Sequence, residues 1–357
     1  MTCPGRLARA LSHAAIDQEP PRRILITGTA GFIGFHLART LLTQGHAVHG
    51  FDGITDYYDV TLKRARHDVL RQSPDFAASE GLLEDRALFD RTADSFRPDI
   101  IVHLAGQAGV RHSLDHPRAY IDSNVIDSFN VMETARRHGV AHLLMASSSS
   151  VYGANTSMPF AEVDKADTQL TIYGATKKAS ESIGHAYAHL HDLPTTLFRF
   201  FTVYGPWGRP DLAFFKFADG ILDGRPIDIY NHGQMYRDFT YLDDLVQGIR
   251  LLIDAVPERL ASADAIAKDD SLSPVAPYRV VNIGNSTKVR LLDFIDALET
   301  SLGQKAVRNY MDMQPGDLEA TWANVGLLHQ LTGYRPQTDV QTGIDAFVRW
   351  FRDYYGK

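Results

Sequence analysis

One stretch near the N-terminus restricts the possible folds of this chain most strongly. A short β-rich run, residues 23–27, leads directly into a glycine turn, and an amphipathic segment then continues to Gln44. The turn has the spacing GxxGxxG, with Gly28, Gly31 and Gly34. Strand, glycine turn and helix in this order predict the start of a β-α-β unit in a parallel sheet.

The glycine turn has the properties of a dinucleotide site. Glycines allow the backbone to approach a pyrophosphate, and the first helical amides, including those of Phe32 and Ile33, would face it at the positive end of the helix dipole. The next strand, residues 47–51, ends at Asp52. Its carboxylate would accept hydrogen bonds from ribose hydroxyls and would repel a 2′-phosphate, so we expect NAD rather than NADP. The alternative is a tight-packing turn without a ligand.

Strands and helices continue to alternate beyond this unit. We predict helices over residues 87–96, 117–138 and 173–190, and strands over residues 100–104, 143–147 and 195–200. This alternation predicts an α/β fold, a Rossmann-type doubly wound parallel sheet with ligands at the carboxyl ends of its strands. Small residues follow strand 100–104, and we expect Leu104, Ala105 and Gln107 to lie against the cofactor.

The pattern becomes irregular after Thr202, which predicts a smaller mixed region. We divide the chain into a flexible tail (1–21), an NAD-binding Rossmann domain (22–203) and a mainly substrate-binding C-terminal region (204–357). We expect the chain to cross back from this last region to the Rossmann domain.

A serine run and a helix start together suggest proton transfer. Residues 147–150 are four serines at the end of an apolar strand, and Tyr173 and Lys177 are four residues apart. On a helix these two side chains share a face. We predict that Tyr173 is the acid/base, that Lys177 lowers its pKa, and that Ser148 bridges to a substrate hydroxyl. The pattern Tyr-x-x-x-Lys also occurs by chance, so it requires support from the rest of the chain.

Composition excludes several classes of protein. The chain has 357 residues and a formal net charge of −7, which argues against a general nucleic-acid or anionic-membrane surface. Its single cysteine, Cys3, allows no internal disulfide and suits a reducing compartment. No apolar run is long enough to span a membrane, and the histidines show no metal-ligand spacing. We therefore expect a cytoplasmic protein without a metal, without membrane insertion and without a nucleic-acid partner.

Several motifs identify the chain as similar to a known family. They are residues 27–34, 56–60 (DYYDV), 107–111 (QAGVR), 146–153 (ASSSSVYG), 173–177 (YGATK), 199–210 (RFFTVYGPWGRP) and 236–241 (YRDFTY). With these motifs the chain resembles the extended short-chain dehydrogenase/reductase family of nucleotide-sugar epimerases, and within it the bacterial UDP-glucuronate 4-epimerases. The similarity covers residues 22 to about 350.

The resemblance implies roles for individual residues. The catalytic residues are Ser148, Tyr173 and Lys177. The cofactor-binding residues are Gly28, Gly31, Phe32, Ile33, Gly34, Asp52, Leu104, Ala105, Gln107, Asn124, Ser147, Tyr173 and Lys177. The substrate-binding residues are Arg111, Ser148, Ser149, Ser150, Thr202, Arg209 and Arg237. For Arg111 a plain salt bridge in a loop is an equal alternative. The family often has Asp near the adenine where this chain has Leu82, which puts one adenine contact in doubt.

The implied reaction is C4 epimerisation of a UDP-hexuronate, UDP-glucuronate to UDP-galacturonate, through a 4-keto intermediate. The alternatives are a UDP-glucuronate decarboxylase, a neutral UDP-hexose 4-epimerase and a non-catalytic NAD-binding scaffold. Related 4,6-dehydratases carry an Asp-Glu pair where this chain has Ser149 and Ser150, and decarboxylases usually carry Glu in place of Ser150. Both differences favour epimerisation. The resemblance also implies a homodimer through the two long helices and a role in polysaccharide biosynthesis.

Overall fold

A computed structural model describes residues 20–314 and 316–357, so nearly all of the expected N-terminal tail lies outside the described residues. The strands are β1 Arg23–Thr27, β2 Ala47–Asp52, β3 Phe76–Glu80, β4 Ile100–His103, β5 His142–Ser148, β6 Thr195–Phe200, β7 Thr202–Tyr204, β8 Pro226–Ile229, β9 Tyr236–Arg237, β10 Phe239–Tyr241, β11 Tyr278–Ile283, β12 Val289–Arg290, β13 Val307–Tyr310 and β14 Ala320–Thr321. The helices are α1 Phe32–Thr43, α2 Val60–Leu70, α3 Arg86–Phe96, α4 His112–Asp115, α5 Pro117–Ile121, α6 Asp127–His138, α7 Ile172–His191, α8 Ala213–Leu222, α9 Leu242–Asp254, α10 Leu291–Leu302, α11 Gly326–Thr332 and α12 Val340–Tyr355.

Seven strands form one parallel sheet in the order β11-β6-β5-β4-β1-β2-β3. The predicted doubly wound sheet is therefore confirmed. Its edge strand β11 comes from the C-terminal part of the chain, which crosses back to pair with β6. Because strand order changes direction at β1 and β4, the crevice beyond their carboxyl ends is the place where such sheets bind ligands.

The sheet is covered on both faces, which explains the apolar strands. Successive residues of β1 point to opposite sides: Ile24 and Ile26 pack with α1, α9 and α11, whereas Leu25 packs with α3, α6 and α7. A strand buried on both faces must be apolar throughout, as the runs ILI in β1 and IIV in β4 are. The two layers fix the strand ends from which the candidate site is built.

A third apolar cluster holds the C-terminal region together. It joins α8, α10 and α12 through aromatic side chains, including Phe215, Phe347 and Phe351. Three small sheets, β10-β7, β12-β9-β14 and β13-β8, surround this cluster. The loop after β7 returns to the large sheet, where His36 of α1 shares a 3.1 Å hydrogen bond with the Pro206 carbonyl. None of the helices in residues 20–314 and 316–357 combines the length and apolar character needed to cross a membrane.

Candidate active site

The serine run turns sharply at the end of β5. Ser148 is still extended, and a single 3-10 turn, Ser149–Tyr152, follows it. The Ser148 hydroxyl caps this turn by accepting a hydrogen bond from the Ser150 amide at 3.2 Å. The hydroxyls of Ser149 and Ser150 remain partly exposed. The carboxyl end of a central strand therefore presents three consecutive hydroxyls.

Helix α7 starts directly beside this turn. Thr171 caps it by accepting a hydrogen bond from the Gly174 amide at 3.1 Å. A Cβ at Gly174 would lie 2.7 Å from the Ser150 carbonyl oxygen. Only glycine allows this close approach of α7 to the Ser150 backbone. The approach brings the neighbouring residue Tyr173 close to Ser148.

Of the predicted trio, Ser148 and Tyr173 come together, and Lys177 follows Tyr173 by one turn of α7. Burial raises the pKa of Tyr173, while a hydrogen bond with Ser148 and the charge of Arg209 oppose that rise. The expectation that Lys177 lowers this pKa is not met in the structure, because Lys177 is not among the groups that act on it. The Lys177 ammonium instead donates to the Ala146 carbonyl at 3.0 Å, and burial lowers its own pKa to about 8.

A buried ion pair lies on the same face of α7, one turn after Lys177. Two of the three Arg199 side-chain nitrogens, Nε and Nη2, donate to the Glu181 carboxylate at 2.9 Å each. Ser147 donates to the same carboxylate at 2.7 Å. Burial raises the pKa of Glu181, but Arg199, then Lys178 and Ser147, hold it below its ordinary value. Sequence reasoning missed Glu181, although its spacing of four from Lys177 was visible. Ser147, expected to contact the cofactor, is fixed here by Glu181.

The predicted helix 117–138 is wrong as a single α-helix. A π-helical turn, Asp122–Ile126, separates α5 from α6 and carries Asn124. The Asn124 side chain accepts from the Gln107 amide at 2.9 Å and donates to the Gln107 carbonyl at 3.0 Å. It also donates to the Thr176 hydroxyl at 3.1 Å. Asn124 thus ties the loop after β4 to α7, and it lies beside the catalytic helix as expected.

The glycine turn fits a pyrophosphate. A Cβ at Gly34 would lie 2.1 Å from the Gly28 carbonyl oxygen, and Gly28 itself has φ +83°. No side chain caps the start of α1 at Gly31, so the amides of Phe32 and Ile33 have no side-chain acceptor there. Helix N-termini of this kind bind phosphate groups.

The end of β2 fits a ribose. The Asp52 carboxylate accepts hydrogen bonds from the Ala30 amide at 2.9 Å and from the Ile54 amide at 2.8 Å. These bonds fix the carboxylate beside the glycine turn. Leu82 is exposed next to it, close enough that a Cβ at Gly53 would lie 2.6 Å from a Leu82 methyl group. Leu104 and Ala105 border the turn from β4, where the Ala105 amide donates to the Thr27 hydroxyl at 3.2 Å.

The three predicted arginines have different surroundings. Arg209 is paired with Asp211, and its Nε donates to that carboxylate at 3.0 Å. Arg237 donates to the carbonyls of Tyr236 and Glu319, and burial lowers its pKa.

Arg111 forms a 2.8 Å salt bridge with Asp317 and lies 4.0 Å from the Tyr230 ring centre. The salt-bridge alternative for Arg111 therefore describes its contacts in the structure. Thr202, at the start of β7, is partly exposed. Within the described part of the chain, no group of three or more His, Cys, Asp or Glu side chains is arranged to hold a metal ion.

Comparison with known proteins agrees with this arrangement. The model of the NAD dependent epimerase/dehydratase family matches residues 24–263. The chain belongs to this family. A probable UDP-glucuronate 4-epimerase of Rhizobium meliloti is 52% identical over 333 residues, covering 93% of this chain and 98% of the relative. UDP-glucuronate 4-epimerase 1 of Arabidopsis thaliana is 42% identical over 350 residues, covering 97% of this chain and 80% of that relative.

Solved structures of this epimerase/dehydratase family have the same fold. The crystal structure of UDP-glucuronic acid 4-epimerase from Bacillus cereus, in complex with UDP-glucuronic acid and NAD, superimposes with a TM-score of 0.82. It is 29% identical, and the match covers 93% of this chain and 100% of that one. The expected membership of an epimerase family is confirmed.

Proposed function

We propose that this protein is an isomerase that interconverts UDP-glucuronate and UDP-galacturonate at C4, with NAD as its cofactor. The observation that carries this proposal is the approach of Ser148 and Tyr173 at the end of β5, followed by hydroxyls rather than carboxylates at Ser149 and Ser150. Related dehydratases carry an Asp-Glu pair at those positions, and related decarboxylases usually carry Glu at the second of them. The similarity to the uronate epimerases supports the same reaction.

Tyr173 acts as the base in this proposal. It removes the C4 hydroxyl proton, and Ser148 bridges the phenol and that hydroxyl so that the proton has a short path. NAD, when bound, would supply the acceptor and then the donor of the C4 hydride. Lys177, held by the Ala146 carbonyl, is the proposed ligand of the cofactor ribose.

The substrate must be held firmly at its UDP end and loosely at its sugar, because the 4-keto sugar turns over in the site. Arg237 is the proposed diphosphate ligand, since among the described residues it has no carboxylate partner and donates only to carbonyls. Arg209 and Arg111, which are paired with Asp211 and Asp317, are the other two arginines proposed as substrate ligands. Charge-assisted hydrogen bonds to phosphate are strong enough for such an anchor.

A 4-keto uronate loses CO2 easily, because its carbonyl is β to the C6 carboxylate. The site must hold that carboxylate away from the alignment in which the C5–C6 bond breaks. Hydroxyls of Ser149, Ser150 and Thr202 are the proposed donors, since all three residues are partly exposed. Neutral donors hold the carboxylate without adding a proton acceptor.

One assay tests the reaction. The purified protein is incubated with UDP-glucuronate, and the nucleotide sugars are separated by chromatography. UDP-galacturonate is the expected product, without an added oxidant because NAD is regenerated in each turnover. UDP-xylose with CO2 would indicate a decarboxylase instead. Conversion of UDP-glucose but not of UDP-glucuronate would indicate a neutral-hexose epimerase.

We also propose that the protein is a homodimer. The helices around α6 and α7 expose Ile126, Phe129, Ile172 and Leu190, and the rings of Phe129 and Tyr187 lie 6.1 Å apart on this surface. Exposed apolar side chains on two packed helices suit a symmetric interface.

Light scattering tests the dimer. We expect the mass of two chains at micromolar concentration and of one chain after Phe129→Glu. Val307→Glu, at an exposed apolar residue of β13, is the control and should leave the mass unchanged. A monomeric wild-type protein would contradict the proposal.

A cytoplasmic location belongs to the same proposal. The chain has one cysteine, Cys3, and therefore needs no oxidising compartment to form an internal disulfide. Fractionation of cells that express the full chain tests this location, and recovery with the membrane fraction would contradict it.

A further inference from the structure

Arg66 of α2 carries a charge that the described part of the protein does not balance. Its side chain is 0% exposed, yet none of the salt bridges between described residues includes it. Arginine is rarely buried completely without a carboxylate partner. An uncompensated buried charge destabilises the folded protein, so a functional use of this charge must be considered.

The contacts of Arg66 direct this charge to the glycine turn. Its Nη1 donates to the Ala30 carbonyl and to the Tyr58 hydroxyl, both at 2.7 Å. Its Nη2 donates to the Trp207 carbonyl at 2.6 Å, and its Nε is buried without a partner. Ala30 lies inside the turn between Gly28 and Gly31. All acceptors are neutral, so these bonds hold the guanidinium in place without cancelling its charge.

A second cation lies one helical turn before Arg66. Lys63 is buried, donates to the Thr55 carbonyl at 2.6 Å and lies 4.2 Å from the Tyr58 ring centre. Asp52 is the carboxylate that acts most strongly on it, but Asp52 is bound to backbone amides and forms no ion pair with Lys63. Positive charge therefore accumulates behind the glycine turn.

We propose that Arg66 is a positioning residue that provides the countercharge for the pyrophosphate of the dinucleotide. The pyrophosphate has one negative charge on each phosphate, and the amides of the glycine turn contribute only partial charges. Arg66 adds a full charge on the protein side of the turn. This inference rests on the proposed NAD cofactor and concerns the cofactor's phosphates alone. It also gives Tyr58 a role, because Tyr58 contacts both cations.

Ligands with and without phosphate separate this role from a structural one. Dissociation constants for NAD, ADP-ribose and adenosine are measured by calorimetry with the full chain and with Arg66→Met. We expect the constants for NAD and ADP-ribose to rise by at least about tenfold, because a charge interaction in a poorly solvated site is lost. The constant for adenosine should change by less than about twofold. Arg66→Lys keeps the charge, so its constants for NAD and ADP-ribose should lie between those of the wild-type protein and those of Arg66→Met.

Arg279→Met is the matched control. Arg279 is also buried, but it is paired with Asp270 through two hydrogen bonds of 2.9 Å. This substitution should leave the ratio of the dissociation constants for ADP-ribose and adenosine unchanged. If Arg66→Met is insoluble, Arg66→Lys and Lys63→Met carry the test through the same ratio.

An equal weakening of ADP-ribose and adenosine binding in the Arg66 variants would overturn the proposal, as would no weakening of either. Failure of the wild-type protein to bind NAD would instead refute the proposed cofactor. The two failures are therefore distinguishable, and neither depends on turnover of UDP-glucuronate.

Discussion

The buried pair of Glu181 and Arg199 gives the sharpest prediction for stability. Their side chains are 2% and 3% exposed, and the pair joins α7 to β6 directly below the serine run. Glu181→Gln keeps the size of the side chain but removes the charge and leaves Arg199 without a counter-ion. Breaking one side of a buried ion pair costs about 3–5 kcal/mol. Glutamine keeps one acceptor oxygen, so we expect the lower end, about 3 kcal/mol.

This loss converts to a measurable change in melting temperature. An unfolding entropy of about 2.1 cal/mol/K per residue gives about 0.75 kcal/mol/K for a chain of 357 residues. A loss of about 3 kcal/mol then lowers Tm by about 4 °C. Thermal unfolding is followed by circular dichroism at one fixed NAD concentration, because bound ligand adds to stability. The kcat should fall more than KM changes, since the Ser147 hydroxyl, next to Ser148, loses its charged acceptor.

Glu299→Gln is the matched control for this experiment. Glu299 is equally buried, but its cation partners Lys305 and Arg308 are 85% and 24% exposed and can be solvated after the substitution. We expect a Tm loss below about 2 °C and an unchanged kcat. Equal Tm losses in both variants would refute the reasoning about the Glu181 pair.

The same pair predicts a dependence on pH. Because the pKa of Glu181 is held below its ordinary value, the stability it gives is fully present above about pH 4.3 and is lost as the pH falls through the folded-state pKa. On acidification below that pH, the Tm of the Glu181→Gln variant should therefore fall by less than the Tm of the wild-type protein.

Three further predictions concern the catalytic and cofactor residues. Tyr173→Phe should lower kcat by at least about 100-fold in the chromatographic assay and leave NAD binding intact, since only the proton acceptor is removed; unchanged turnover would exclude Tyr173 as the base. Gly34→Ala should abolish NAD binding measured by calorimetry, because its Cβ would lie 2.1 Å from the Gly28 carbonyl oxygen, whereas Gly184→Ala, with its nearest contact at 3.6 Å, should bind normally. Lys177→Met should lose activity but unfold at a higher urea concentration at pH 7, with a free energy of unfolding larger by about 1–3 kcal/mol. The reason is that burial lowers the pKa of Lys177 to about 8, so below that pH the folded wild-type protein carries the cost of a buried charge. A less stable variant would contradict this.

The elements with one apolar face could be predicted from the sequence. The bounds of β1, α1 and β2 follow from a buried apolar run, a glycine turn and a helical apolar stripe, and they differ little from the structure. The trio Ser148, Tyr173 and Lys177 was also predictable, because each residue lies at a strand end or a helix start. Helix α12 was overlooked although its apolar stripe, with Ile344 and Phe351, gives a clear helical signal.

Other elements could not be predicted from apolar periodicity. Helix α2 buries Lys63, Arg66 and His67 on its inner face, so its sequence shows no apolar stripe. Strand β3, FAASE, lies at the sheet edge and lacks β-branched residues, so it was missed as well. The π-helical turn depends on the contacts of Asn124 with a loop 17 residues earlier in the sequence, which periodicity cannot reveal.

One stripe of α7 combines chemistry with stability. Tyr173, Lys177 and Glu181 follow each other at intervals of four residues, and the last of them is locked to Arg199 and Ser147. Burial disfavours the charged forms of the first two residues: it raises the pKa of Tyr173 and lowers that of Lys177. Both shifts oppose the charged forms that the reaction needs, but only the buried Lys177 ammonium costs stability at neutral pH, because Tyr173 is neutral there in both the folded and the unfolded state. A rigid ion pair one turn later offsets that cost, because it holds the helix against β5 and β6 whatever the protonation of Tyr173. The catalytic and the structural residues of α7 therefore depend on each other, and the Glu181 and Lys177 variants should change stability in opposite directions while both lose turnover.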